Sequence, residues 1–236
     1  MTKRLVILLG VLASSAGSTT AYWLWPDLGQ PLPPRAVAHI SSPLYVMRVE
    51  PVTDDSLEAL VESLAPYLPI EVRATDEWVL DEPDSLEADD EHYDSKKVVA
   101  RLEEITPPGT RVLGVTDYPM IDDGHWWLYG TAQLGGRTAV VSTAHLWADE
   151  IPGNTTHPLF RRRISKVGVH EFGHTLGLVH CEHSRCVMRF SSDIGVLDHK
   201  RHTFCKMCMM QDFEPFMVAE LAQRGHEPPT AVEFDQ

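Results

Sequence analysis

Residues 170–208 read HEFGHTLGLVHCEHSRCVMRFSSDIGVLDHKRHTFCKMC and carry the most specific pattern in this 236-residue chain. The segment opens with HExxH, in which His170 and His174 are four residues apart. On an α-helix, residues at this spacing lie about 40° apart around the axis and roughly one turn apart along it. Two imidazoles placed in this way can bind one metal ion, so we expect an active-site helix over this motif.

The pattern continues to HExxHxxGxxH and so supplies a third histidine, His180. Gly177 is expected to end the helix in a turn with positive φ, which brings His180 back towards the first two ligands. Three protein ligands leave the fourth position for water, as in catalytic zinc sites. Glu171 adjoins the ligands and is predicted to be the general base that takes a proton from that water. The competing interpretation, a core helix with surface histidines, does not account for the extended match.

All four cysteines of the chain fall in the same segment, at Cys181, Cys186, Cys205 and Cys208. Two close pairs of thiolates at this spacing match a closed, tetrahedral zinc site. Two disulfides are the alternative if the chain is exported into an oxidising compartment. Because the spacing is that of metal ligands, we expect a second zinc ion with a structural role at these four residues.

The N-terminus has the features of a targeting segment. Lys3 and Arg4 precede residues 5–25, which carry no charge. We expect residues 1–25 to be a signal peptide or an N-terminal membrane anchor, with 5–25 as the tether, unless the run serves neither purpose. Both functions place the body outside the cytoplasm, exported to the periplasm or the extracellular space or anchored at the membrane.

The rest of the chain divides by composition. Residues 26–43 are rich in proline and predict an extended linker. Residues 44–225 are expected to form the folded domain, and residues 226–236 a C-terminal tail.

Short apolar runs alternate with helical periodicity within the predicted domain. Strands are predicted at 44–49, 70–74, 111–116, 126–132 and 138–142, and helices at about 55–67, over 98–105, and from Pro158 through the HExxH motif. This order predicts an α/β domain with a mixed, mostly parallel sheet. Gly135-Gly136 is expected to join the last two strands in an antiparallel hairpin. The basic run 161–163 at the start of the last helix is expected to be solvated.

Composition excludes several classes of protein. Lys and Arg total 20 and Asp and Glu total 34, which gives a formal net charge of −14. A chain this acidic is a poor binder of phosphate backbones, so we expect no nucleic acid partner. Hydrophobic residues at 43% and charged residues at 23% are ordinary for a soluble globular protein, which argues against wholesale disorder and a polytopic membrane protein.

Residues 170–208 resemble the archaemetzincins, a family of metzincin zinc metallopeptidases. The resemblance rests on the Cys181 that follows the third histidine, the CxM of residues 186–188, Asp198-x-Lys200 and the final CxxC. Weaker matches extend it over roughly 44–220.

This resemblance implies a site with two zinc ions. It assigns catalytic zinc to His170, His174 and His180, structural zinc to the four cysteines, and the role of base to Glu171. It also places Met188 in a methionine turn that packs under the catalytic zinc. A C-terminal helical part stabilised by zinc completes the expected fold.

The resemblance further implies hydrolysis of a peptide or protein substrate. An edge strand that matches residues 126–132 would line the cleft and pair with an extended peptide. The alternative function is a zinc-stabilised peptide-binding module with little or no catalysis. The complete ligand set and the presence of Glu171 argue against that alternative.

Overall fold

The computed structural model describes residues 43–68, 70–82, 86–89, 91–147 and 153–208. The predicted signal or anchor (1–25), the linker up to residue 42, residues 209–225 of the predicted domain and the tail (226–236) lie outside the described residues. Within the described part of the chain, no helix combines the length and apolar character needed to cross a membrane.

The described elements keep the predicted order of strand, helix, strand, helix and strand up to residue 116, but the second strand covers Val72–Leu80 where 70–74 is predicted, and short strands at 87–89, 92–94 and 120–122 were not predicted. The strands are β1 Leu44–Val49, β2 Val72–Leu80, β3 Glu87–Asp89, β4 His92–Asp94, β5 Arg111–Thr116, β6 Met120–Asp122, β7 His125–Leu128, β8 Gly130–Ala132 and β9 Thr138–Ser142. The helices are α1 Asp54–Leu64, α2 Ser95–Ile105, α3 Pro158–Thr175, α4 Ile194–His199 and α5 Lys206–Cys208.

A five-stranded sheet in the order β2-β1-β5-β9-β8 forms the centre of the described structure. Its first four strands are parallel, and β8 runs antiparallel to β9. The mixed, mostly parallel sheet of the prediction is therefore confirmed. All five residues of β9 are buried, as expected for a strand covered on both faces of its sheet.

Two apolar cores lie on opposite faces of this sheet, because successive side chains of a strand point to opposite sides. Val46 packs in the core that contains residues of α1 and α3, whereas its neighbour Met47 packs in the core that contains residues of α2. Val140 and Val141 of β9 divide between the two cores in the same way. Helix α3, which carries the HExxH motif, thus lies on one face of the sheet, directly against its last strands.

The predicted strand 126–132 is wrong as a single element. Its first half is β7, which pairs with β6 in a smaller sheet of order β3-β4-β6-β7, and its second half is β8. Gly130 lies opposite Val141, close to the end of β9, so residues before Tyr129 have no partner in the main sheet. A turn closed by a hydrogen bond from Gly124 N to Asp122 Oδ1 (2.8 Å) instead folds β7 back on β6.

Helix α3 begins and ends where the sequence indicates. Pro158 occupies the first turn, and the His157 side chain caps the helix by accepting a hydrogen bond from Leu159 N. At the other end, Gly177 has a φ of 86°, a conformation that glycine adopts without steric cost. The chain therefore reverses directly after the second histidine of the motif.

Candidate metal centres

Three histidines converge at the C-terminal end of α3. His170 and His174 project from successive turns of the helix, and the reversal at Gly177 returns His180 to the same place. One ring nitrogen from each residue lies within 4.8 Å of the other two. The structure therefore brings together the three ligands that the sequence predicts.

Hydrogen bonds fix which nitrogens of this triad can bind a metal. His170 Nδ1 donates to Val187 O (2.8 Å), and His174 Nδ1 donates to Leu178 O (2.7 Å). A carbonyl oxygen can only accept, so each Nδ1 carries the proton and each Nε2 presents a lone pair. The two Nε2 atoms are 3.0 Å apart. Two lone pairs at this distance repel each other unless a cation lies between them, so the donor set fits a zinc ion.

The protonation state of the triad agrees with this fit. Desolvation by the surrounding protein lowers the pKa of the buried His170 and the half-buried His174, and it lowers that of His180, whose side chain is the most exposed of the three, to about 4. Neutral imidazole is the form that binds zinc. The site therefore holds its ligands in the metal-binding form at neutral pH.

Glu171 lies in the site without a hydrogen-bond partner on one of its carboxylate oxygens. The side chain is buried, and Oε2 has no partner among the described residues. Burial raises the pKa of Glu171 to about 8, and the positive charge of Lys200 acts in the opposite direction. A buried carboxylate with a free oxygen is suited to accept a hydrogen bond from a water at the metal.

Met188 packs against helix α3 between His170 and His174. It is buried, and a Cβ added at Gly173 would lie 2.5 Å from its Sδ atom. Gly173 lies immediately before His174, so the thioether contacts the helix between the two ligands. This position agrees with the packing role that the resemblance implies for Met188.

The four cysteines form a second cluster next to the first. Cys181 and Cys205 have Sγ atoms 3.7 Å apart, Cys186 and Cys208 are also 3.7 Å apart, and Cys205 and Cys208 are 3.8 Å apart. A disulfide needs about 2.05 Å. Four sulfurs at about 2.3 Å from a central zinc lie about 3.8 Å from one another. All four cysteines are free thiols in the structure, and their spacing fits a tetrahedral zinc ion and not two disulfides.

The sequence analysis predicted no packing role for three buried cations near the histidine triad. Arg163, within the run predicted to be solvated, is buried, and its guanidinium binds both carboxylate oxygens of Asp198 (2.8 and 2.7 Å). Lys166 and Lys200 are also buried. The sequence did contain an indication that the first two are buried, because residues 163, 166 and 170 lie on one face of α3 at helical spacing. That face is the one that binds the C-terminal segment.

An aromatic side chain borders the triad on its open side. Phe190 is 43% exposed, and its ring centroid lies 5.2 Å from that of His180 and 5.8 Å from that of His125. His125 belongs to β7, and its Nδ1 lies 2.9 Å from Asp122 Oδ1. The small sheet and the segment after Met188 therefore meet beside the third histidine.

Comparison with known proteins places this site in a family. The model of peptidase family M54 matches residues 59–212. The archaemetzincin of Natronomonas pharaonis is 35% identical over 137 residues, which cover 54% of this chain and 79% of that protein. The archaemetzincin of Methanocaldococcus jannaschii is 39% identical over 98 residues, which cover 42% of this chain and 55% of that protein.

Solved structures agree with the sequence comparison. The crystal structure of the Archaeoglobus fulgidus archaemetzincin, complexed with malonate, is 31% identical with a TM-score of 0.60, and the match covers 72% of this chain and 99% of that one. The Methanopyrus kandleri archaemetzincin is 27% identical with a TM-score of 0.55, covering 81% and 97%. Since the family model spans well over half of the chain, this protein belongs to peptidase family M54, the archaemetzincins, and is a zinc metallopeptidase of the metzincin type.

Proposed function

We propose that this chain hydrolyses peptide bonds at the histidine triad, with His170, His174 and His180 as ligands of a catalytic zinc and Glu171 as general base. One observation carries the proposal. Three metal-binding nitrogens lie within 4.8 Å of one another, beside a buried carboxylate that has a free oxygen. We also propose that Cys181, Cys186, Cys205 and Cys208 hold a second, structural zinc.

The chemistry divides between the metal and the protein. A zinc ion bound by three histidines lowers the pKa of a coordinated water to about 7 and polarises a substrate carbonyl. Glu171 accepts the proton of the attacking water and then donates it to the nitrogen of the leaving amine. Burial makes Glu171 a stronger base than an exposed glutamate. A zinc ion held by the triad would favour the ionised form of this carboxyl group.

The substrate is proposed to bind as an extended peptide along β8. This strand is at the end of the main sheet, so the backbone groups on its outer edge can pair with another chain. The strand comprises only Gly130–Ala132, which is shorter than the edge predicted from sequence. Gly130 lies against Glu171, so a peptide paired with β8 would lie close to the base.

Two variants test the proposed roles against each other. Glu171→Ala should retain two zinc ions per chain and lose peptide cleavage by about 10²–10⁴-fold, since it removes a base and not a ligand. His174→Ala should retain only the zinc at the cysteines. Metal content is measured by atomic emission, and cleavage is measured by mass spectrometry of a peptide library incubated with the full chain.

The results separate the two candidate functions. A Glu171→Ala protein that loses zinc, or that cleaves as fast as the wild type, would show that the assigned role is wrong. A zinc-loaded wild type that binds library peptides without cutting any of them would support the peptide-binding module instead.

We further propose that the domain is exported or membrane-anchored. The support is Lys3 and Arg4 followed by residues 5–25 without charge. Fractionation of native cells and N-terminal sequencing test this proposal. Recovery of the full-length chain from the cytosol would contradict it.

A further inference from the structure

Lys200 is a buried lysine whose ammonium group holds the turn that contains Met188. The residue is 4% exposed and follows α4 directly. Its Nζ donates to Val187 O (3.0 Å) and to Arg189 O (2.8 Å), the carbonyls on either side of Met188. The backbone of this turn is therefore fixed by one side chain from a different element.

One of these carbonyls also holds a residue of the histidine triad. Val187 O accepts both the Lys200 Nζ bond and the His170 Nδ1 bond (2.8 Å), one for each of its lone pairs. The position of this oxygen sets the orientation of the His170 ring and keeps the proton on Nδ1. Outer partners that orient a ligand in this way typically contribute about 10–100-fold to metal affinity.

The charge of Lys200 works against the metal, so two effects compete. An ammonium group near a bound dication repels it, and removal of this charge would tighten zinc binding. Loss of the Lys200 hydrogen bonds frees the Val187 carbonyl and so loosens His170, which weakens zinc binding. The sign of the net effect therefore reveals which role Lys200 has.

We propose that Lys200 is a positioning residue of the histidine site, which fixes His170 in its ligand orientation by holding the Val187 carbonyl. This inference rests on the proposed function, because it takes His170 to be a zinc ligand. It assigns Lys200 no contact with the substrate or the reacting atoms. Its expected effect is therefore on metal affinity and ligand geometry.

A matched control exists on α3. Lys166 is also 4% exposed, and its Nζ also donates to two backbone carbonyls, Leu197 O (3.1 Å) and Asp198 O (2.8 Å). Neither carbonyl accepts a hydrogen bond from the triad in the described structure, where His170 and His174 bond to Val187 O and Leu178 O. Lys166→Met and Lys200→Met thus remove equivalent hydrogen bonds from the fold, but only the second removes a bond to a carbonyl that also binds a histidine of the triad.

The experiment measures zinc affinity of the histidine site by competition with a chelator in the full chain, and the visible spectrum after cobalt is loaded there. Lys200→Met should weaken zinc binding about 10–100-fold and shift the cobalt spectrum, while the zinc at the cysteines stays. Lys166→Met should leave affinity and spectrum unchanged. If Lys200→Met does not fold, Lys200→Gln is used instead. It keeps an N–H donor on a shorter side chain and should also weaken zinc binding at the histidine site.

Three results would overturn the inference: unchanged affinity in the Lys200 variants, tighter binding in them, or an equal loss in Lys166→Met. The last result would mean that the lysines act only through stability. The wild type provides the separate test of the proposed function. If its histidine site takes up no zinc, the proposed function fails with the inference, whereas tight wild-type binding without a Lys200 effect overturns the inference alone.

Discussion

Gly130 of the edge strand β8 lies against the carboxylate of Glu171. A Cβ added at Gly130 would lie 2.8 Å from both Cγ and Oε1 of Glu171, and 2.8 Å from the backbone oxygen of Val140. The φ of Gly130 is not positive, so the glycine is needed for space and not for its backbone conformation. The absence of a side chain at this position lets the proposed base and the proposed peptide-binding edge lie in contact.

Gly130→Ala should lower peptide cleavage without loss of metal. The added methyl group cannot fit between β8 and Glu171, so either the carboxylate or the strand must move. A displacement of this size at a catalytic group lowers kcat/KM by about 10–100-fold. Steady-state kinetics and zinc content, measured on the same preparation, check this expectation.

Thr131→Ala is the control for the Gly130 variant. Thr131 is the next residue of the same strand, and its side chain points to the opposite face of the sheet. We expect its kcat/KM to stay within about twofold of the wild type. Equal losses of kcat/KM in both variants would show that β8 tolerates no substitution. The effect of Gly130→Ala could then not be attributed to the contact with Glu171.

Cys205→Ser should remove the second zinc and also weaken the first. Cys186 immediately precedes Val187, whose carbonyl binds His170. Loss of the cysteine-bound zinc should loosen this segment, because metal-binding free energy contributes to folding here. We expect one zinc fewer per chain, a lower Tm, and weaker zinc binding at the triad in chelator competition.

A thiol count under denaturing, chelating conditions checks the state of the cysteines. We expect four free thiols per chain, in agreement with sulfur separations of 3.7–3.8 Å. A count of zero would establish disulfides. A Cys205→Ser protein with unchanged Tm would contradict the structural role of this zinc.

Zinc binding at the triad should resist acid. Protons compete with zinc for histidine nitrogens, and desolvation lowers the pKa of the buried His170, the half-buried His174 and the more exposed His180. Between pH 7 and 5.5, three histidines with the ordinary pKa of about 6.5 would lose roughly 500-fold in affinity. Since lowered pKa values mean fewer protons to displace, we expect a loss below about 10-fold. Chelator competition across this pH range distinguishes the large loss of zinc affinity expected for ordinary histidines from the small loss expected here.

Asp198→Asn should destabilise the fold because it removes the carboxylate charge that pairs with the buried guanidinium of Arg163. The side chain of Arg163 is 6% exposed and joins α3 to α4 through Asp198, which is itself 35% exposed. Loss of a fully buried partner costs about 3–5 kcal/mol, and the exposure of Asp198 reduces this to about 2 kcal/mol. Denaturant unfolding measures the change.

Glu62→Gln provides the comparison for this ion pair. The pair of Arg161 and Glu62 also involves α3, but its side chains are 33% and 62% exposed. Exposed pairs contribute less than about 1 kcal/mol. An equal loss in the free energy of unfolding of both variants would mean that burial does not make the Arg163–Asp198 pair more important for stability than the exposed pair.

The sequence pattern was sufficient to predict the structural features that depend only on residues close together in the chain. The HExxH spacing places His170 and His174 on one helical face whatever surrounds the helix, because the period of the α-helix is set by its backbone. Gly177 marks the reversal because few other residues tolerate its φ. The buried strands 44–49, 111–116 and 138–142 were found as apolar runs, and the structure has them at the same bounds.

Contacts between distant segments could not be read from these patterns. The break at Tyr129 depends on where β9 ends, and the contact of Gly130 with Glu171 depends on how α3 crosses the sheet. Lys200 is a charged residue in sequence and becomes a partner of the Val187 carbonyl only when α4 packs on α3. Periodicity records which side of an element is buried, whereas the identity of the partner across the interface is set by packing of the whole domain.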